Sequence, residues 1–172
     1  MFTPGTKLSE IGEAIEEVAI EFGFNPVRNL TGHGLDRYNL HAGAVVPNIK
    51  THTNKIIQEN EVYAVEPFAT PGAGMIKDSS PTLIFRWLQD KPTRNPDARK
   101  ILELAKHKFD RLPFAKRWLQ IPQFKLELAL RELLRLEALH PYSVLKEVKN
   151  APVSQTEHTV IVKEKPIVTT RI

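Results

Sequence analysis

The chain has 172 residues, 41% of them hydrophobic, and no cysteine, which admits one domain with a core plus a small appendage and excludes disulfides and thiolate metal sites. Its formal charge of +4 is uneven: residues 86–135 hold 13 Lys or Arg against 6 Asp or Glu, a local +7 that leaves −3 for the remainder. No signal-peptide pattern opens the chain and no apolar stretch reaches bilayer length, so a soluble, cytoplasmic protein with no membrane partner is expected.

Leu8, Ile11, Ile15, Val18 and Phe22 recur at helical spacing, with five glutamates between them on the watered side. This predicts a first helix, capped by Thr6 or Ser9 and ended by Gly23. Asn25-Pro26 reads as a turn into an extended piece, 27–30, and the glycines at 32, 34 and 43 make the next stretch a loop. Residues 44–49 and 62–68 read as strands, and Asn60 suits a left-handed turn before the second of them. The stretch 70–80, with Pro71-Gly72-Ala73-Gly74, reads as a mobile loop, and 83–88 as another strand. Beyond Asp90 the period changes. Residues 97–109 and 123–139 read as amphipathic helices, and 114–119 between them as a short helix, with Pro92, Pro96, Pro113, Pro122 and Pro141 at the element edges. Extended pattern returns at 144–148, 153–162 and 167–170, so the order is α, β-rich, helical insert, β-rich.

Two of the strand-like runs carry a carboxylate inside them. If 62–68 alternates, Val62, Ala64 and Glu66 share a face; likewise Gln155, Glu157 and Thr159 share one, with His158 on the other. An isolated strand glutamate more often points at solvent. Glu66, however, follows four apolar residues and precedes Pro67, which ends sheet pairing. A buried carboxylate needs a compensating cation, and a metal is the leading candidate. His33 sits between glycines and His41 precedes Ala42-Gly43. A lone loop histidine is usually solvated, but two in such settings favour function. Two carboxylates and a histidine form a sensible nitrogen and oxygen ligand set for a divalent ion, although spacing along the chain does not establish that they converge. His52, His107 and His140 have no such setting. The basic middle is most often a solvated face, with a nucleic-acid surface the minority reading.

The segments NLTGH (29–33), LHAG (40–43), PNI (47–49), NEVYAVEPFAT (60–70), PFAKRWL (113–119) and QTEHTVIV (155–162), taken in this order, resemble the type II methionine aminopeptidases of the archaeal sort. The resemblance implies an α+β fold, half of the pita-bread arrangement of creatinases and aminopeptidases, with a helical, winged-helix-like insert. The expected division is 1–89 and 146–172 for the pita-bread half and 90–145 for the insert. The resemblance further implies two divalent metal ions (Co, Mn, Fe or Zn). Their ligands here would be His33, Glu66, which also moves the proton, and Glu157, which bridges both ions. His41 matches a histidine that contacts substrate, and Leu40 an apolar residue of the methionine pocket. The implied activity is removal of the N-terminal methionine of nascent proteins. Two aspartates and a further histidine of the family's centre have no counterpart here, so the chain corresponds to the C-terminal half. A split gene, a truncated reading frame and a fragment begun at an internal methionine all fit. The chain alone is expected to be inactive, and a partner polypeptide would supply the missing ligands. The alternative is a non-catalytic ribosome- or RNA-binding protein of the same fold, with the basic insert as its contact surface.

Overall fold

The structure, a computed structural model, describes residues 1–171. It divides into two compact units, Met1–Lys77 with the chain from Lys146 onward, and Asp78–Leu145.

The first unit begins with α1, Leu8–Glu21. Its cap is Lys7, whose N–H donates to Glu10 Oε2 at 3.3 Å. Thr6 is occupied elsewhere, its hydroxyl 3.2 Å from that of Thr3, so neither residue expected from the sequence caps the helix. Gly23, with φ of 79°, stops it, since only glycine takes that conformation without cost. There follow β1 (Asn25–Pro26), β2 (Thr31–Gly34), β3 (Val45–Pro47), β4 (Val62–Val65) and β5 (Phe68–Thr70). After the second unit come β9 (Ser154–Gln155), β10 (His158–Ile161) and β11 (Ile167–Val168). They form an antiparallel five-stranded sheet, β11-β10-β4-β2-β3, and a three-stranded one, β1-β5-β9. The apolar stripe of α1 closes over Val46, Ile57, Tyr63 and Val162 through Leu8 and Ile11. Asn60 takes the expected left-handed turn at φ 70°.

Four expectations for this unit need correction. Asn25–Pro26 are a strand paired to β5 and not a turn, and the extended piece expected over 27–30 joins no strand; Asn29 instead pairs with the backbone of Ile76, donating to its carbonyl at 2.7 Å and accepting from its N–H at 2.9 Å. Residues 31–34 are a strand and not a loop. A Cβ at Gly32 would collide with the Ala64 carbonyl, and one at Gly34 with the Ala42 carbonyl, so these glycines admit neighbouring backbone. The stretch 70–80 is tied down rather than mobile: Glu147, 2% exposed, accepts the Ala73 N–H at 2.7 Å, and strand pairing resumes at Ile76.

In the second unit, β6 (Ile76–Trp87, most of it here) lies between β7 (Phe114–Ala115) and β8 (Leu139–Glu147) in a three-stranded sheet. The helices are α2, Pro96–Leu104, and α3, Gln123–Arg135. Asn95 caps α2, accepting from the N–H groups of Asp97 at 3.0 Å and Ala98 at 3.3 Å. The helical path widens into a π turn at Ala105–Phe109, so 97–109 is not one regular helix. Over 114–119 the first two residues form a strand paired to Ile84 and Phe85, and the expected short helix is confined to a 3-10 turn at Lys116–Trp118. α3 stops at Arg135 because Glu137 takes φ 54°, and β8 then starts before Pro141. Ile101, Phe114, Ala129 and Leu133 lie at the centre of this unit's core. No helix among the described residues is long and apolar enough to cross a membrane.

Candidate metal centre

β4 and β5 are one strand path broken at Glu66 and Pro67; β9 and β10 are another, broken at Thr156 and Glu157. Val65 pairs with His158 on one side of the gap and Phe68 with Gln155 on the other. The two breaks are therefore equally long, the register passes through without a slip, and Glu66 falls opposite Glu157. Proline explains the interruption, because Pro67 has no N–H to give; its carbonyl still receives the Thr156 N–H at 3.4 Å. Residues opposite each other in an antiparallel pair project on the same face, where like charges repel. Burial pushes the Glu66 carboxyl above its usual range, and the charge of Glu157 pushes it further, against the opposing pull of His33 and Gln155.

His33 stands on β2 opposite Ala64, which puts it on the face that Ala64 shares with Glu66. Its Nε2 is 3.3 Å from Glu66 Oε1, with both side chains 13% exposed. Its Nδ1 is 3.2 Å from the Gly34 carbonyl oxygen. That oxygen can only accept, so Nδ1 carries a proton and Nε2 is turned on the carboxylate. Nε2 thus faces a carboxyl oxygen with which it can share a proton or a cation. The His41 ring stands edge-on to that of His33, centroids 4.4 Å apart at 67°. His41 is exposed and Leu40 beside it is half-buried. Glu157 is exposed and His158 projects to the opposite face of β10.

The donor set, one imidazole and two carboxylates on one sheet face, fits a divalent ion in its chemistry. It does not close a shell: among the described residues no three His, Cys, Asp or Glu side chains are grouped tightly enough to hold an ion. Two other residues that the sequence did not single out bond to Glu66, and a third fixes a turn nearby in the chain. Gln155 donates to Glu66 Oε2 at 2.9 Å, leaving Oε1 to His33; its place two residues before Glu157, on the same face, was the available signal. Asn48 is 1% exposed and donates to the Glu66 carbonyl at 3.3 Å. Glu147 fixes the turn after β5, and only folding reveals either role.

The profile of metallopeptidase family M24 matches residues 1–112. The chain belongs to metallopeptidase family M24. It is 46% identical over 169 residues to the methionine aminopeptidase of Pyrococcus horikoshii, covering 96% of this chain and 57% of that one. To the methionine aminopeptidase of Thermococcus onnurineus it is 48% identical over 170 residues, covering 96% and 58%. The chain thus spans a little over half the length of these M24 relatives. Among solved structures it superposes on a thermophilic Arx1 with a TM-score of 0.78 at 20% identity, over 95% of this chain and 45% of that chain. With the methionine aminopeptidase of Thermotoga maritima the TM-score is 0.59 at 17% identity, over 99% and 45%. These likenesses establish the α+β pita-bread fold. Divalent metal is the working chemistry of the M24 family.

Proposed function

We propose that this chain is part of a metal-dependent aminopeptidase that removes the N-terminal methionine of nascent proteins. The carrying observation is the sheet face shared by His33, Glu66 and Glu157, with His33 Nε2 turned on Glu66 Oε1 at 3.3 Å. Relatives near half identity that bear the name methionine aminopeptidase support the same reading. His33, Glu66 and Glu157 would contribute ligands to two divalent ions, drawn from Co, Mn, Fe or Zn. Bound there, the ions would polarise the scissile carbonyl and supply a nucleophile at neutral pH.

The side chains do the rest. Glu66, whose carboxyl is raised by burial and by Glu157, is suited to take a proton and return it to the leaving amine. Gln155 holds one of its oxygens, so the other is the one presented. His41, against His33, would donate to the charge that develops on the substrate carbonyl. Leu40 would line the methionine pocket. A second polypeptide, or a further length of the same one, would add the two aspartates and the histidine that complete the shell, and action on nascent chains would place the assembly in the cytoplasm. Glu66→Gln in the assembled enzyme should lower kcat by about 10²- to 10⁴-fold; unchanged turnover sinks the assignment. The purified chain with Co or Mn alone should not hydrolyse a Met-peptide, and clear hydrolysis would remove the need for a partner.

A second reading is a non-catalytic ribosome- or RNA-binding protein. Residues 78–145 carry 13 Lys or Arg against 8 Asp or Glu. Trp118, 48% exposed, stacks on Phe109 at 5.5 Å beside Lys108 and Arg117, a combination suited to bases and phosphates. Salt-dependent RNA binding that survives His33→Ala, with no metal uptake in any assembly, would put this reading first.

A further inference from the structure

We infer that Asn48 is a positioning residue: its side-chain amide replaces main-chain pairing at the end of the five-stranded sheet and so fixes the spacing of His33 and Glu66. Pairing between β2 and β4 joins His33 to Ala64 and Gly34 to Tyr63 and goes no further towards Glu66. The same register would set Thr31 opposite Glu66, where the strand path breaks and the next residue, Pro67, has no N–H. On the other side of β2 the ladder ends with Thr31 against Pro47, which sets Asn48 opposite Leu30.

The Asn48 side chain occupies that gap. Its Nδ2 donates to the Leu30 carbonyl at 3.0 Å and to the Glu66 carbonyl at 3.3 Å. Both acceptors are carbonyls, so the nitrogen and not the oxygen must face them. One amide group therefore links the end of β3, the segment leading into His33 and the break that carries Glu66. Its Oδ1 is buried without a hydrogen-bond partner, an unfavourable arrangement that bonding Nδ2 alone does not relieve. The amide is kept at a position 1% exposed with one of its two polar atoms unbonded, and what it gains there is the link between the two carbonyls. The inference rests on His33 and Glu66 being the working pair.

The 172-residue chain itself provides the first test. In a long-range HNCO experiment the Asn48 side-chain amide protons should correlate with the carbonyl carbons of Leu30 and Glu66. Absence of both correlations overturns the proposal. Asn48→Asp keeps the shape but sets an oxygen against the two carbonyls. Amides of residues 31–34 and 64–66 should then exchange at least about tenfold faster, with those of α1 within about twofold of wild type. A uniform rise across the unit would mean a merely structural role and refute it. Should that variant not fold, Asn48→Leu gives the same comparison. In an assembly that removes N-terminal methionine, Asn48→Leu should lower kcat about tenfold and leave KM unchanged; an unchanged kcat counts against the proposal. If the wild-type assembly removes no methionine, the functional reading fails while the HNCO correlations still decide the geometry.

Discussion

The smaller unit gathers thirteen buried apolar residues into its core cluster, whereas the larger gathers six. Buried polar side chains divide the other way. Among the described residues Asn48, Thr70 and Glu147 are all in the first unit. Each bonds backbone rather than another side chain: Asn48 the carbonyls of Leu30 and Glu66, Thr70 the Pro152 carbonyl at 2.7 Å, Glu147 the N–H groups of Ala73, Lys149 and Ala151. The first unit also leaves Val18, Ile20 and Phe22 of the α1 region exposed. Oily packing holds the second unit, while the first is held in good part by directional bonds to loops and strand ends. Bonds of that kind fix backbone at chosen points, which a site built on two strand breaks requires.

The largest effect should come from the second unit's core. Phe114 is 1% exposed and stacks on Phe109 at 5.4 Å, so Phe114→Ala should cost about 3–5 kcal/mol of that unit's stability. Amide protection in β4 and β10 should survive it; equal loss in both units would show that the comparison above divides what folds as one.

A smaller effect tests the directional bonds. Burial opposes ionisation of Glu147, but three backbone N–H groups outweigh it and hold the carboxyl below its usual range. A depressed folded pKa contributes stability that is present above the unfolded value and lost as pH falls through the folded one. Thermal melting followed at pH 7 and at successively lower pH should therefore show the first unit weakening below the normal carboxylate range, before the second unit does. Glu147→Gln should lower the midpoint at pH 7 and flatten this dependence. An unaltered pH profile would leave Glu147 without the clamping role.

The smallest shift should be a gain. Burial and Glu157 raise the Glu66 carboxyl, so the folded state binds the proton more tightly than the unfolded state does. Its ionisation then costs stability as pH rises through the folded value. In chelator, Glu66→Gln should raise the first unit's midpoint at pH 7 by about 1–3 °C, a modest figure because solvent screens part of the repulsion. A lower midpoint would mean that the His33 contact outweighs the repulsion.

Much of this was legible in the sequence where period and chemistry agree. The α1 helix with the buried start of its stripe at Leu8 and Ile11, the turn at Asn60 and the common face of Ala64 and Glu66 followed from spacing alone, as did the outward turn of His158 from that of Glu157, whereas Val18 and Phe22 of the same stripe lie exposed. Two of the misses share a physical origin: partners distant along the chain. Gly32 and Gly34 resemble loop residues until the Ala64 and Ala42 carbonyls arrive beside them. The Pro71-Gly72 stretch reads as mobile until Glu147, more than seventy residues later, receives the Ala73 N–H. The end of α3 is missed for a local reason: 123–139 looks helical throughout because its leucines keep the period, and the left-handed turn at Glu137 releases Leu139 into a strand.

The matched breaks at Glu66-Pro67 and Thr156-Glu157 also restrict how the length of the chain can be edited. Side chains on a strand alternate, so one residue gained or lost in either gap sends everything beyond it to the other side of the sheet. A single insertion after Glu66 would carry Phe68 and its successors out of step with Gln155 and Ser154, their present partners. An equal insertion in the opposite gap would bring the two paths back into step. In a library of length variants, tolerated changes at one gap should therefore come with the same change at the other, a pairing by count that needs no agreement in residue type.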